Sequence, residues 1–184
     1  LTAGGATSLT AGGRAVIRFV ARSNGAPLAG THVVISSRPA GQRGLHTIRT
    51  ATTGAGGAVS LAIAPMRNTV YRAVLEAAPA TAATTTVTVH QHITLVADRL
   101  RIARGGVVRL TGRVLPGHPG ARVRVQLLTA AGWRTVALPR LGAASHFAKT
   151  VIAALRGRYV LRVVAPATAR NGNGQSATVT VRVR

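Results

Sequence analysis

In the stretch AGGRAVIRFVAR, at residues 11–22, a glycine pair is followed by side chains that alternate along the chain. The stretch ARGGVVRLTGR, at residues 103–113, repeats the pattern. Successive side chains of a β-strand point to opposite faces, so each stretch predicts a strand with one buried face. In the first copy the buried side chains are Ala15, Ile17, Phe19 and Ala21. In the second copy the same parity buries Val108, Leu110 and Gly112.

Four further segments match in the same order along the chain. They are AGTHVVISS from Ala29 with GARVRVQLL from Gly120, GLHTI with GWRTV, RNTVYRAVL with RGRYVLRV, and TVTV ending at Val89 with TVTV ending at Val181. The segments recur about every ten residues between Gly, Pro, Asn and Ser, which is typical of an all-β sandwich. The repeat predicts an all-β fold of two tandem immunoglobulin-like β-sandwich domains, at residues 1–91 and 92–184.

The same alternation assigns the inner faces of the other strands. The predicted inner residues are Val33 and Ile35 with their counterparts Val123, Val125 and Leu127, and, in the last strands, Val87 and Val89 with Val179, Val181 and Val183. One strand conflicts with this pattern, because Phe147, Lys149 and Val151 share a parity. It predicts an inward lysine unless a β-bulge resets the register.

A tyrosine begins the penultimate strand in both halves, at Tyr71 and Tyr159, with apolar residues two and four places later. A β-sandwich places a tyrosine corner at this position, with a buried ring and a hydroxyl bonded to nearby backbone. We therefore predict structural roles for both tyrosines. The single tryptophan, Trp133, matches Leu45 of the first half and is predicted to pack at a strand start.

Charge is the most unusual property of the composition. The chain has 24 basic residues, all arginine except Lys149, against the two acids Glu76 and Asp98, for a formal net charge of +22. A surface of this kind attracts nucleic acid, anionic glycopolymers or acidic proteins in a salt-dependent way. A biased genome, or exposure to acid, where carboxylates are protonated, gives an alternative explanation.

The charge is unevenly divided between the halves. Residues 1–92 hold eight basic residues and one acid, for +7, and residues 93–184 hold sixteen and one, for +15. If the third, sixth and seventh strands share a sheet, one outer face of the second domain carries Arg122, Arg124, Arg162, Arg182 and Arg184. The equivalent face of the first domain offers His32, Val34 and Val74. We predict an anionic contact for the former and a protein contact for the latter; arginines scattered over solvated strands are the alternative.

Composition excludes most catalytic chemistry. There is no cysteine, and two acids in separate domains provide no carboxylate pair. Ser145 and His146 are adjacent, so on a strand they point to opposite faces and form no nucleophile and base pair. No glycine pair is followed by the Lys-Ser/Thr of a phosphate-binding loop. His90 and His92 provide at most a two-ligand metal site, so we predict no metal, no cofactor, no small-molecule substrate and no enzyme activity.

The join between the halves reads TVTVHQHITLV, without glycine or proline. It predicts that the last strand of one domain passes almost directly into the next, which makes a stiff tandem unit. The chain has no uninterrupted apolar run of about 18 residues and no opening of the signal-peptide kind, so it is not expected to be membrane-embedded. It begins with Leu1, which suggests a processed product or a fragment.

Together these segments resemble the bacterial Ig-like repeats of secreted and cell-surface proteins, of the actinobacterial type. The matching pieces include GGRAVIRFVAR, GGVVRLTGRV, AGWRTVAL, RNTVYRAV and the closing TVTV. The resemblance implies an extracellular, non-enzymatic stalk, spacer, adhesin or assembly subunit. Many such repeats carry calcium between clustered carboxylates, and this chain departs from them because it has only two acids.

Two functions follow as predictions. The first is a secreted structural protein, a rigid unit of a surface stalk, filament or layer that associates with copies of itself. The alternative is a binding module whose basic second domain holds an anionic polymer, either a cell-wall glycopolymer or nucleic acid. Free strand edges favour self-association, whereas the charge of +22 opposes it without counterions.

Overall fold

Twenty β-strands and no helix form the structure, a computed structural model that describes residues 1–184. The chain divides into two units, each a sandwich of two main sheets. Domain 1 is Leu1–His90 with Ala169–Gly172, and domain 2 is Gln91–Thr168 with Asn173–Arg184. The predicted all-β fold of two tandem immunoglobulin-like sandwiches is confirmed. These units differ from the predicted bounds of 1–91 and 92–184 at Gln91 and at the segment 169–172.

Domain 1 contains ten strands. They are β1 (Thr2–Gly5), β2 (Ser8–Thr10), β3 (Ala15–Val20), β4 (Arg22–Ser23), β5 (Ala26–Pro27), β6 (His32–Pro39), β7 (His46–Thr52), β8 (Ala58–Ile63), β9 (Thr69–Leu75) and β10 (Ala78–His90). One sheet has the order β1-β3-β8, and the facing sheet has the order β2-β10-β9-β6-β7. The first strand is thus split, because β1 pairs antiparallel with β3 whereas β2 pairs parallel with β10.

Domain 2 repeats this arrangement with its own ten strands. They are β11 (His92–Ile93), β12 (Val96–Ala97), β13 (Arg101–Ile102), β14 (Val107–Leu115), β15 (Arg124–Thr129), β16 (Gly132–Ala137), β17 (His146–Ile152), β18 (Gly157–Ala165), β19 (Gly174–Gln175) and β20 (Val179–Val183). Strand β14 pairs with β11, β12 and β17, and the facing sheet has the order β13-β20-β18-β15-β16, with β19 paired to β18. Again the opening segment splits, antiparallel to β14 and then parallel to β20.

Each domain encloses one apolar core of β-branched and aliphatic side chains, as the alternation predicts. In domain 1 the fully buried residues include Ile17, Phe19, Val33, Ile35 and Val87. In domain 2 they include Leu110, Val125, Val163 and Val181. The inner faces predicted for the strands are confirmed, which fixes the outer faces that solvent or a partner can reach.

Lys149 is the predicted exception to the pattern, and the structure explains it without a bulge. The pairing of β14 with β17 is continuous, and Lys149 lies opposite the fully buried Leu110. Its side chain is nevertheless exposed. Strand β17 pairs only with β14 and forms an edge of its sheet, so a long side chain on the inner face reaches solvent past that edge.

A four-residue segment from late in the chain completes domain 1. Within 169–172, the side chain of Asn171 is fully buried, and its Nδ2 donates to the carbonyl oxygens of Met66, at 3.0 Å, and Val89, at 3.3 Å. The amide of Asn68 donates to the carbonyl of Arg170 at 2.8 Å. Domain 1 therefore depends on residues that the sequence repeat assigns to the second half.

Candidate functional site

Three arginines stand side by side on the outer face of the larger sheet of domain 2. Arg182 of β20 lies directly opposite Arg158 of β18 on one side and Arg101 of β13 on the other. All three side chains are exposed. We call these residues the arginine row. It crosses three neighbouring strands, whose spacing is about 4.8 Å.

Arg162 continues the outer face of β18, where other side chains fix its guanidinium. Its Nε donates to Gln126 Oε1 and its Nη1 to Gln175 Oε1, each at 2.8 Å. The guanidinium carbon lies 4.0 Å from the ring centroid of Trp133, a cation–π contact. Trp133 was predicted to pack at a strand start, and here its partner is an arginine of the outer face.

The other predicted arginines lie on or beside the same face. Arg124 pairs with Val164 on the neighbouring strand, diagonal to Arg162. Arg184 follows β20 with the outward parity of Arg182, and Arg122 precedes β15 in an isolated bridge with Arg140. All of these except Arg162 are exposed. The structure thus places Arg124, Arg162 and Arg182 in one sheet, with Arg122 and Arg184 next to the ends of its strands, and their binding of an anion stays a prediction.

The sequence prediction missed Arg101 and Arg158, two of the three members of the row. Arg158 has the same parity as Arg162 on the same strand, so the alternation contained a signal for it. Arg101 has no such signal, because its strand has two residues and pairs in parallel with residues about eighty positions later. Neither acid of the chain forms an ion pair with any member of the row. Like charges directly opposite each other destabilise a sheet, so the row costs folding energy.

The equivalent face of domain 1 has different chemistry. Val34 lies opposite Val74, and both are half-buried. His32, at the start of β6, is exposed, and its Nδ1 is 3.4 Å from the hydroxyl of Thr52. The structure brings His32, Val34 and Val74 together on one mild, partly apolar face, and the protein contact proposed for them stays a prediction.

The two tyrosines lie on the inner faces of corresponding strands, β9 and β18, one inward position apart, and they differ in their bonding. The Tyr159 hydroxyl donates to the carbonyl oxygen of Leu155 at 3.0 Å and accepts from the Leu155 amide at 3.1 Å, the bonding of a tyrosine corner. Tyr71 is 5% exposed, and its hydroxyl forms no hydrogen bond with a protein group. Burial raises the pKa of the Tyr71 phenol above its ordinary value of 10.0.

The remaining candidate residues form no reactive arrangement. Ser145 is 1% exposed and its hydroxyl has no partner, while its neighbour His146 is exposed at the start of β17. No group of three or more His, Cys, Asp or Glu side chains lies close enough to hold a metal ion. His90 ends β10 and His92 begins β11. No helix long and apolar enough to span a membrane is present.

Comparison with known proteins gives structural neighbours only. No protein-family model and no curated protein matches the chain. A tetra-tandem repeat in the extending region of a large adhesion protein overlaps 98% of this chain and 50% of its own, at 15% identity and a TM-score of 0.44. The D0-D1 domain of intimin overlaps 98% of this chain and 96% of its own, at 14% identity and a TM-score of 0.39. Invasin, a bacterial integrin-binding protein, overlaps 98% of this chain and 38% of its own, at 20% identity and a TM-score of 0.43. This chain thus spans half of the adhesion-protein repeat and less of invasin. Likeness of this quality assigns no function.

Proposed function

We propose that the chain is a non-enzymatic extracellular binding module whose second domain holds an anionic polymer on the arginine row. The single observation that supports it is the alignment of Arg101, Arg182 and Arg158 across three strands without an acidic neighbour. Repulsion between neighbouring arginines is compatible with function where a bound ligand removes that repulsion. A polyanion does so, because it neutralises adjacent arginines and releases its own counterions.

The rest of the face extends the row into a binding surface. Arg162 is held by two glutamines and an aromatic ring, so its guanidinium is already oriented before a ligand arrives. A pre-oriented side chain loses less conformational entropy on binding. Arg124, diagonal to the half-buried Arg162, adds an exposed charge. A flexible polymer lying across the strands contacts both the row and Arg162.

A pair of matched variants tests this proposal. Arg158→Ala/Arg182→Ala removes two charges from the row, and Arg109→Ala/Arg113→Ala removes two exposed charges from the other sheet of the same domain. Affinity for a labelled single-stranded DNA and for an anionic glycopolymer is measured across salt concentration. The row variant should bind both polymers at least tenfold more weakly and reduce the slope of log K against log salt for the DNA by about 0.7 per lost contact.

The control variant should change affinity by less than threefold. Equal losses in the two variants would show that net charge alone drives binding and would overturn the proposal. A loss for DNA alone or for the glycopolymer alone identifies which polymer the face accommodates.

Self-association into a surface stalk, filament or layer is the second candidate, and strand β7 favours it. Strand β7 pairs only with β6, so its other backbone edge is open, and Ile48 within it is 47% exposed. An open edge can add a strand from a second copy. This pairing requires screening of the charge of +22. The extracellular location and the actinobacterial type remain parts of this proposal.

Electron microscopy and light scattering across salt and protein concentration test the second candidate. The wild-type chain should form ordered assemblies at high salt, and Ile48→Lys, which places a charge on the open edge, should remain a monomer. A wild-type chain that stays monomeric at every salt concentration would exclude assembly through β7.

A further inference from the structure

A groove of about 530 Å³ opens in domain 1. Its lining comes from β6 to β9 and from the connection between β8 and β9. Most of the lining is apolar, with Ile48, Leu61, Ile63, Pro65 and Met66 among its members. Its volume lies in the range of about 300–1,000 Å³ that is usual for small-molecule sites.

Two hydroxyl groups lie together in this groove. Ser37 on β6 is directly opposite Tyr71 on β9, and both line the groove. Both residues are largely buried, at 9% and 5% exposure, and neither hydroxyl forms a hydrogen bond with a protein group. The Ser145 hydroxyl is the one side-chain group of the chain that is both buried and unpartnered, so the hydroxyls of Ser37 and Tyr71 reach the open groove. A ligand in the groove can therefore use both as hydrogen-bond donors.

Tyr71 differs from Tyr159, the tyrosine of the corresponding strand in domain 2, because the Tyr159 hydroxyl is fully satisfied. Tyr159 bonds twice to the backbone of Leu155, four residues earlier. The register counterpart of Tyr71 in domain 2 is Leu161, which has no hydroxyl. Four residues before Tyr71 lies Arg67, which lines the groove. The tyrosine hydroxyl in domain 1 is thus not used to hold a corner and remains available inside an apolar cavity.

The charged and polar residues of the groove indicate which polar group the ligand carries. Arg67 belongs to the lining, and no acidic residue does. Because burial raises the pKa of the Tyr71 phenol, the phenol keeps its proton at neutral pH and acts as a donor. The serine hydroxyl is a second donor. Two hydroxyl donors and a guanidinium suit a carboxylate acceptor, because charge-assisted hydrogen bonds are the stronger kind.

We propose that this groove binds a small amphipathic carboxylate, with its apolar body against Leu61, Ile63 and Met66 and its carboxylate on the hydroxyls of Ser37 and Tyr71. The chemical class is that of a medium-chain fatty acid. This site is independent of the arginine row, because every residue that forms it belongs to domain 1.

Sodium decanoate below its micelle concentration is a suitable probe, with the full-length ¹⁵N-labelled chain followed by amide NMR. Saturable shift changes should appear at Ser37, Ile48 and Tyr71. Tyr71→Phe should raise the Kd about tenfold, since it removes one hydrogen bond to a charged acceptor. Ser37→Ala should have a similar effect. Decanol, which has the same apolar body without the charge, should bind at least tenfold more weakly.

Tyr159→Phe is the control, because it makes the same chemical change on the corresponding strand of domain 2. It should lower the stability of domain 2 and leave the Kd for decanoate unchanged, whereas Tyr71→Phe should keep the stability of domain 1. An unchanged Kd in both Tyr71→Phe and Ser37→Ala would overturn the proposal. So would shift changes confined to the arginines of domain 2, since these would show binding by charge alone.

Discussion

The two domains place different chemistry at equivalent positions of the same sheet. In domain 1, Val34 lies opposite Val74 on the outer face. In domain 2, the equivalent pair is Arg124 and Val164, and the next outward pair is Gln126 and Arg162, joined by a 2.8 Å hydrogen bond. The inner neighbours are conservative by contrast, with Ile35 beside Ala73 in one domain and Val125 beside Val163 in the other. Burial constrains the inner face, and the outer face is where the domains differ.

The interiors of the two domains differ as well. Domain 2 closes its tyrosine corner at Tyr159. In domain 1 the hydroxyl of Tyr71 forms no bond with a protein group, and the residue lines a groove. The candidate sites of the two domains therefore differ in kind, with the arginine row on an outer face of domain 2 and the groove in domain 1.

The largest expected effect tests how far the two inner faces are interchangeable. A Cβ added to Gly112 would overlap the carbonyl oxygen of Thr94 and the ring of Phe147. The glycine pairs at 12–13 and 105–106 align Gly112 with Phe19, which is fully buried. Ala21, two residues later on the same inner face, is also fully buried and has its Cβ in place. Gly112→Ala should destabilise domain 2 by about 3 kcal/mol, and Ala21→Gly should cost domain 1 only about 1 kcal/mol.

Trp133 is the only tryptophan, so its fluorescence during urea unfolding reports on domain 2. Hydrogen exchange of the amides of Ile17 and Ile35 reports on domain 1. Tolerance of Gly112→Ala without loss of stability would show that the two inner faces are more alike than their packing indicates.

The second prediction concerns the boundary between the repeats. Asn171→Ala should destabilise domain 1 by about 2 kcal/mol, because the buried carbonyls of Met66 and Val89 each lose a donor. The effect should appear in the exchange of domain 1 amides, although the substitution lies in the second half of the sequence. Ala167→Ser, at an exposed position nearby, is the control. If the amides of domain 1 remain protected from hydrogen exchange in Asn171→Ala, the segment 169–172 is not required for the stability of domain 1.

A smaller effect is expected from reversing one charge in the arginine row. Arg182→Glu places a carboxylate between Arg101 and Arg158, so it should stabilise domain 2 by about 1 kcal/mol at low salt. The gain should shrink as salt screens the charges. The same variant should lose polyanion affinity, which separates stability from function. Arg113→Glu, on the other sheet and with no acid opposite it, should show neither effect, and a destabilised Arg182→Glu domain would mean that the row is not repulsive.

The sequence predicted faces well because alternation is a local property of a strand. It predicted the alignment of the halves less well. TVTV ending at Val89 was matched with TVTV ending at Val181, whereas the backbone hydrogen bonds make Val183 the counterpart of Val89. The amide of Ala11 donates to the carbonyl of His90 in domain 1, and the amide of Arg104 donates to the carbonyl of Arg184 in domain 2. The match is displaced by two residues. Two is an even number, so every face was still assigned correctly, and the error left no trace in the predicted core.

The candidate sites depended on information that alternation does not carry. The arginine row needs the parallel pairing of β13 with β20, and the groove needs the missing corner bond of Tyr71. Both follow from how distant segments meet. The bond between Tyr159 and Leu155, in contrast, spans only four residues and follows a known local motif.

The smallest expected effect sharpens the contrast between the tyrosines. The pKa of Tyr71 is raised in the folded state, so below pH 10 its phenol is protonated in both states and contributes no pH dependence. Above pH 10 the unfolded chain releases that proton first, so the stability of domain 1 should fall as pH rises toward the folded pKa. Methyl NMR of Ile17 and Ile35 in urea at pH 9 and pH 11 measures this loss. Tyr71→Phe should abolish it, and a loss of the same size in that variant would assign the effect to another group.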